Sequence, residues 1–170
     1  MILRPYEGKT PRLGTRVFVA ENAALIGDVE LGNDCSIWFG TTVRGDVNFI
    51  RIGSRTNVQD NSTIHVDHGS FPTVIAEEVT IGHGAIVHGC TVKRGALIGM
   101  GSRILSGAVV GEGALVAAGA LVTEGMIVPP RTLVAGVPAK VKRPLTDEEI
   151  ARLDTSWRNY VDYKEKYLNS

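Results

Sequence analysis

The residues best able to do chemistry in this chain are its four histidines, His65, His68, His83 and His88. His83 and His88 stand five residues apart in IGHGAIVHGC, residues 81–90, wrapped in glycine and β-branched side chains. Neutral imidazoles ligate zinc and related ions, and three of them leave a coordination position open for water. Polar surface histidines would show the same spacing. The backbone that carries them decides between the two readings.

That backbone is a repeat. Every sixth residue from Val74 is Val or Ile with one exception, Thr80, running through Ile86, Val92, Ile98 and Ile104 to Val134. Small residues precede these by two positions (Ala96, Ser102, Ala108, Ala114), and glycines follow by three (Gly89, Gly95, Gly101, Gly107). The earlier part keeps the period through Val19, Leu25, Leu31, Ile37, Val43 and Phe49, then slips by three to Ile52, Val58 and Ile64. Six fits neither the 3.6 of a helix nor the alternation of a long strand. It fits a short strand and a corner in each repeat, the β-branched residue inward and glycine at the corner. Three hexads close one triangular coil, giving a parallel β-helix of roughly seven coils spaced ~4.8 Å apart over residues 1–144. Twenty glycines against four Phe and two Trp suit such a narrow aliphatic column.

Residues 135–140, AGVPAK, mark the exit from the last coil. Thr146-Asp147-Glu148-Glu149 is a capping box, and Ile150, Leu153, Trp157, Tyr160, Val161, Lys164 and Tyr167 follow at helical spacing. The expectation is one α-helix over 145–170, packed outside the column with Trp157 inward.

One interruption exceeds a hexad by four residues, between Ile64 and Val74, and predicts a short extruded loop near 66–72. With it removed, Ile64 and Ile86 stack one coil apart, so His65 and His88 emerge on the same edge of neighbouring coils. His83 lies about 16 Å of extended chain from His88, with a corner between. It cannot join a pair on its own chain, but a cyclic trimer would bring it to the pair of a neighbour.

Lys+Arg and Asp+Glu are equal at 18 each, which gives no basic field for nucleic acid and no footprint for anionic membranes. No apolar run approaches the ~20 residues of a membrane span, and the start lacks a signal-peptide core; a cytoplasmic location is expected. Cys35 and Cys90 read as reduced, buried residues without zinc-motif spacing.

Arg44-Gly45-Asp46, Asn57-Val58-Gln59-Asp60, His65 and the run His83–Cys90, in this order on a hexapeptide coil, resemble the γ-class carbonic anhydrases. The resemblance covers nearly the whole chain. It implies a left-handed coil and a homotrimer with a metal at each interface, held by His65 and His88 of one chain and His83 of the next. Zinc is the usual ion, with iron or cobalt as alternatives. The implied reaction is reversible hydration of carbon dioxide to bicarbonate by a metal-bound hydroxide. Gln59 would orient that hydroxide, Arg44 would attract bicarbonate, and Asp46 would hold Arg44 across the interface. Tyr167 aligns with a tyrosine near the site, although Asp162 stands where the family has asparagine. The loop is shorter than in active relatives and lacks their glutamate proton shuttle. Asp67 and His68 are its only titratable groups, and His68 is the candidate substitute. Without the resemblance, Arg44–Asp46 reads as an interface ion pair and Gln59 as a corner cap.

Three other readings share this architecture: a hexapeptide-repeat acyltransferase using a CoA donor, a thioester-hydrolysing relative, and a trimeric assembly protein without turnover. An acyltransferase needs one general-base histidine and has no use for Gln59, His65, His83 and His88 together.

Overall fold

In the computed structural model, which describes residues 1–169, the hexads form a parallel β-helix of about seven coils. Two- and three-residue strands stack on three faces. The first carries Phe18–Val19, Ser36–Ile37, Asn57–Val58, Thr80–Ile81, Leu97–Ile98, Leu115–Val116 and Thr132–Ala135, all parallel. The second and third faces are hydrogen-bonded into one sheet because two long strands, Ala24–Leu31 and Thr42–Ile52, run round the corner between them. Thr63–His65 and Ile86–His88 belong to the second face, Thr73–Ile75 and Thr91–Val92 to the third.

The core is the aliphatic column the repeat calls for. Ile37, Val43, Val58, Ile64, Ile81, Val87, Val92, Ile98, Ile104, Val110, Val116 and Val122 are all fully buried. Burying each such side chain stabilises the fold by roughly 1.5–3 kcal/mol. The inward register differs from the sequence expectation by one residue over part of the chain. Val87, not Ile86, pairs with Ile64, and Ile75, not Val74, points inward. The loop is therefore one residue longer than counted, and two regular hexads later the repeat from Val87 to Val92 is one shorter. Gly84 sets this phase. It holds the left-handed corner at φ +65°, three residues before the inward Val87, as Gly101 does before Ile104. Ile86, equally β-branched, is left on the surface at 36 % exposure.

The slip by three near Phe49 is an insertion at a corner. Gly27 pairs with Gly45 but Val29 with Ile50, so residues 46–49 bulge out of the coil, with Ile50 inward and Phe49 half-buried. A Cβ on Gly45 would lie 2.7 Å from the Asp28 carbonyl oxygen, so only glycine fits between Arg44 and Asp46.

The helix spans Asp147–Leu168, capped by Thr146 and Glu149 in the reciprocal arrangement expected. It runs back along the first face towards the early coils, burying Leu153, Trp157 and Lys164. Lys164 pairs with Asp34 at 3.0 Å and with Glu165, and Arg16 meets Glu165 beside them. No helix is long and apolar enough to cross a membrane.

Candidate metal centre

His65 and His88 are direct cross-strand partners at the ends of Thr63–His65 and Ile86–His88. Their ring centroids are 5.2 Å apart with planes tilted by 55°. The corner that follows is clamped: the Gly89 N–H donates to the His65 carbonyl at 3.2 Å, and the Thr73 hydroxyl donates to the same oxygen. His88 Nδ1 lies 3.0 Å from Ser106 Oγ, which leaves Nε2 free to face outward. Burial, and then the neighbouring His65, push the His88 imidazole below its ordinary pKa, which favours the neutral form. His65 Nε2 lies 3.0 Å from Asp46 Oδ1.

Asp46 comes from the corner bulge and also pairs with Arg44 through Oδ2. Burial alone would raise its pKa, but the bonds from His65 and Arg44 outweigh that and hold the carboxyl below its usual range. The Arg44–Asp46 pair forms within one chain, so it does not wait on an interface as the sequence reading had it.

His83 is elsewhere. It occupies the corner between the first and second faces, its carbonyl accepting from the Gly101 N–H at 2.8 Å. Its Nδ1 lies 2.8 Å from Asp60 Oδ2. A carboxylate can only accept, so that nitrogen carries the proton and Nε2 is left with a free lone pair, the arrangement that orients ligating histidines. The side chain is 47 % exposed. Gln59 lies on the same edge, buried, with Nε2 donating to Asn57 Oδ1 at 3.2 Å. Gln59 and His83 open onto one cavity of about 390 Å³, walled by Leu97, Leu115 and Leu133 and by Ser156 of the helix.

Tyr167 lodges among Phe18, Trp38 and Phe39, with ring centroids 5.2 to 5.9 Å away. It shares a cavity of about 340 Å³ with Asp60 and Tyr160, and so stands one residue removed from His83. Tyr160 escaped sequence reasoning because a helical aromatic stripe reads as docking. Burial, and then the charge of Asp60, raise its pKa. His68 is exposed on the loop and shares a cavity of about 490 Å³ with Asp46, Glu7 and Lys9. Cys35 and Cys90 are pushed up by burial, to about 11 and about 12, and are inert neutral thiols.

Among the described residues no three histidine, cysteine or acidic side chains converge as a metal cage. The pair nevertheless fits half of one. Two imidazoles on a tetrahedral ion have centroids roughly 5 Å apart, given metal–nitrogen bonds of about 2.1 Å, and the observed separation is 5.2 Å. Each chain thus presents two imidazoles on one edge and a third, already oriented by a carboxylate, on another.

No family model matches the chain. It is 48 % identical to a protein named carbonic anhydrase from Geobacillus kaustophilus, over 98 % of this chain and 91 % of that one. It is 46 % identical to gamma carbonic anhydrase 2, mitochondrial, of Arabidopsis thaliana, over 91 % of this chain and 57 % of the relative. A crystal structure described as a hexapeptide transferase family protein from Anaplasma phagocytophilum superposes with a TM-score of 0.94 at 46 % identity, covering 98 % of both chains.

Proposed function

Because the chain belongs to the γ-class carbonic anhydrase family, whose members are lyases, we propose that it hydrates carbon dioxide reversibly at a metal shared between subunits of a homotrimer. His65 and His88 of one chain and His83 of a neighbour would hold the ion. The observation that carries this reading is the split donor set: two imidazoles 5.2 Å apart on one edge, and a third fixed by Asp60 on another. Zinc suits three imidazoles, with iron or cobalt as alternatives, and when bound it supplies a water acidic enough to act as nucleophile near neutral pH.

The chain's own residues do the rest. Asp60 and Ser106 fix the rings of His83 and His88. Gln59 orients the attacking oxygen from the His83 side. Arg44, steadied by Asp46, attracts the bicarbonate as its charge develops. Tyr167, beside Asp60, lines the approach. His68 takes the released proton to solvent through the cavity it shares with Asp46. A cytoplasmic location belongs to the same reading; the Arabidopsis relative, named mitochondrial, makes an organelle the alternative.

The apolar cavity along Leu97, Leu115 and Leu133, together with the transferase description of the structural neighbour, favours acyl transfer as the second reading. Metal analysis and stopped-flow carbon dioxide hydration decide between them. One metal per chain with a rate above buffer supports the anhydrase. Acetyl-CoA binding without metal or hydration, after anaerobic loading with zinc, iron and cobalt in turn, supports the transferase.

A further inference from the structure

We propose that the C-terminal helix fixes which end of the Gln59 amide faces the site, through a relay in which Ser156 and Thr80 are positioning residues. The proposal rests on the reading of Gln59 as the group that orients the attacking oxygen.

The relay joins four side chains. Gln59 Nε2 donates to Asn57 Oδ1 at 3.2 Å, and Asn57 Nδ2 donates to Thr80 Oγ1 at 3.0 Å. Thr80 Oγ1 lies 3.3 Å from Ser156 Oγ. Asn57 and Thr80 are Cα partners on the first face, and the hydroxyl of Ser156 arrives from the helix, held there by buried Leu153 and Trp157. Asn57, Gln59 and Thr80 are all buried, so water is a poor substitute for any of them.

A chain of amides and hydroxyls of this kind has two self-consistent settings. In one, the single proton of Thr80 points at Ser156, so Thr80 can only accept from Asn57. Asn57 must then turn its nitrogen to Thr80 and its oxygen to Gln59. Gln59 gives its nitrogen to Asn57 and presents its carbonyl oxygen to the cavity it shares with His83. In the other setting, Thr80 donates to Asn57, both amides reverse, and Gln59 presents N–H groups instead.

Only the first setting suits the reaction. An acceptor at Gln59 takes the proton of the attacking oxygen and leaves a lone pair for carbon, whereas a donor would compete for that lone pair. Two features choose it. The Val79 carbonyl, which already accepts the Asn57 backbone N–H at 3.0 Å, lies 3.5 Å from Asn57 Nδ2 and would face an oxygen after reversal. With the Asn57 amide nitrogen placed on Thr80, that hydroxyl can only accept there, and Ser156 offers an acceptor for its proton. The helix therefore belongs to the machinery of the site although it contributes none of the three proposed ligands.

The test compares Ser156→Ala, Thr80→Val and Thr80→Ser with the parent, as full-length zinc-loaded protein. Side-chain amide protons of Asn57 and Gln59 are followed by NMR, alongside metal content, kcat and KM. Expected are altered Gln59 amide shifts and at least about tenfold faster amide exchange in Ser156→Ala and Thr80→Val, with Thr80→Ser like the parent. Turnover should fall about five- to tenfold, the scale of one lost neutral hydrogen bond, with KM and metal content unchanged. Unaltered Gln59 amide signals in Ser156→Ala overturn the relay. Altered signals with parental turnover, where Gln59→Ala is impaired, also overturn the proposal. Altered signals with an unimpaired Gln59→Ala uphold the relay and overturn instead the role given to Gln59.

Discussion

The two edges that would meet at an interface are built from different chemistry. The His65–His88 edge is ionic: Asp46 touches both His65 and Arg44, and the corner bulge of residues 46–49 brings these charges to the second face. The His83 edge is made of neutral amides and hydroxyls, ordered from Gln59 to Ser156, beside an aliphatic wall, with Asp60 as the charged group against His83. On the proposed reading, one edge would supply two ligands and the group that meets an anion, and the other would supply one ligand and the group that orients a nucleophile. Neither is a site alone, and their complementarity is the physical case for a centre that assembly completes.

The largest expected effects come from removing a ligand on either edge. His83→Ala and His88→Ala should each strip the metal from every site, measured by elemental analysis, and lower hydration on the order of 10³-fold or more. Next come the groups that aim those ligands. Asp60→Asn should weaken metal affinity about 10- to 100-fold in competition with a chelator, and Ser106→Ala should do less, because a hydroxyl orients a ring less firmly than a carboxylate. Gln59→Ala should separate the edges in kind: turnover falls about tenfold while metal content holds, since Gln59 aims an oxygen and ligates nothing.

The smallest expected effect is on stability in acid. Burial, then His65, depress the pKa of His88 in the folded chain. In protein stripped of metal, as pH falls through about 6.5 the unfolded chain takes up a proton that the folded His88 resists. Stability should therefore decline below that pH, and His88→Gln should flatten the urea-midpoint profile between pH 7.5 and 5.5.

The coil, the capped helix and the separation of His83 from the histidine pair were legible in the sequence because each follows from local spacing. The repeat is so regular that only its breaks misled. Ile86 and Val87 are both β-branched, and composition cannot say which turns inward; the corner at Gly84 decides it. Partners distant in sequence were not legible. Thr80 and Ser156 lie 76 positions apart, Asn57 and Thr80 23 apart, and His83 and Asp60 meet between neighbouring coils. The ring contacts of Tyr167 with Phe18, Trp38 and Phe39 were hidden for the same reason, because they depend on the helix running back towards the first coils.

The sharing of ligands between chains is tested most directly by mixing His83→Ala chains with His65→Ala chains and isolating the mixed trimers. Neither variant alone should hold metal. Every mixed trimer, of either composition, contains one junction where an intact pair faces an intact His83, so about one metal per mixed trimer and a matching fraction of hydration activity should return. Mixed trimers verified by mass and still free of metal would contradict the account, as would full metal occupancy in trimers made of His83→Ala chains alone.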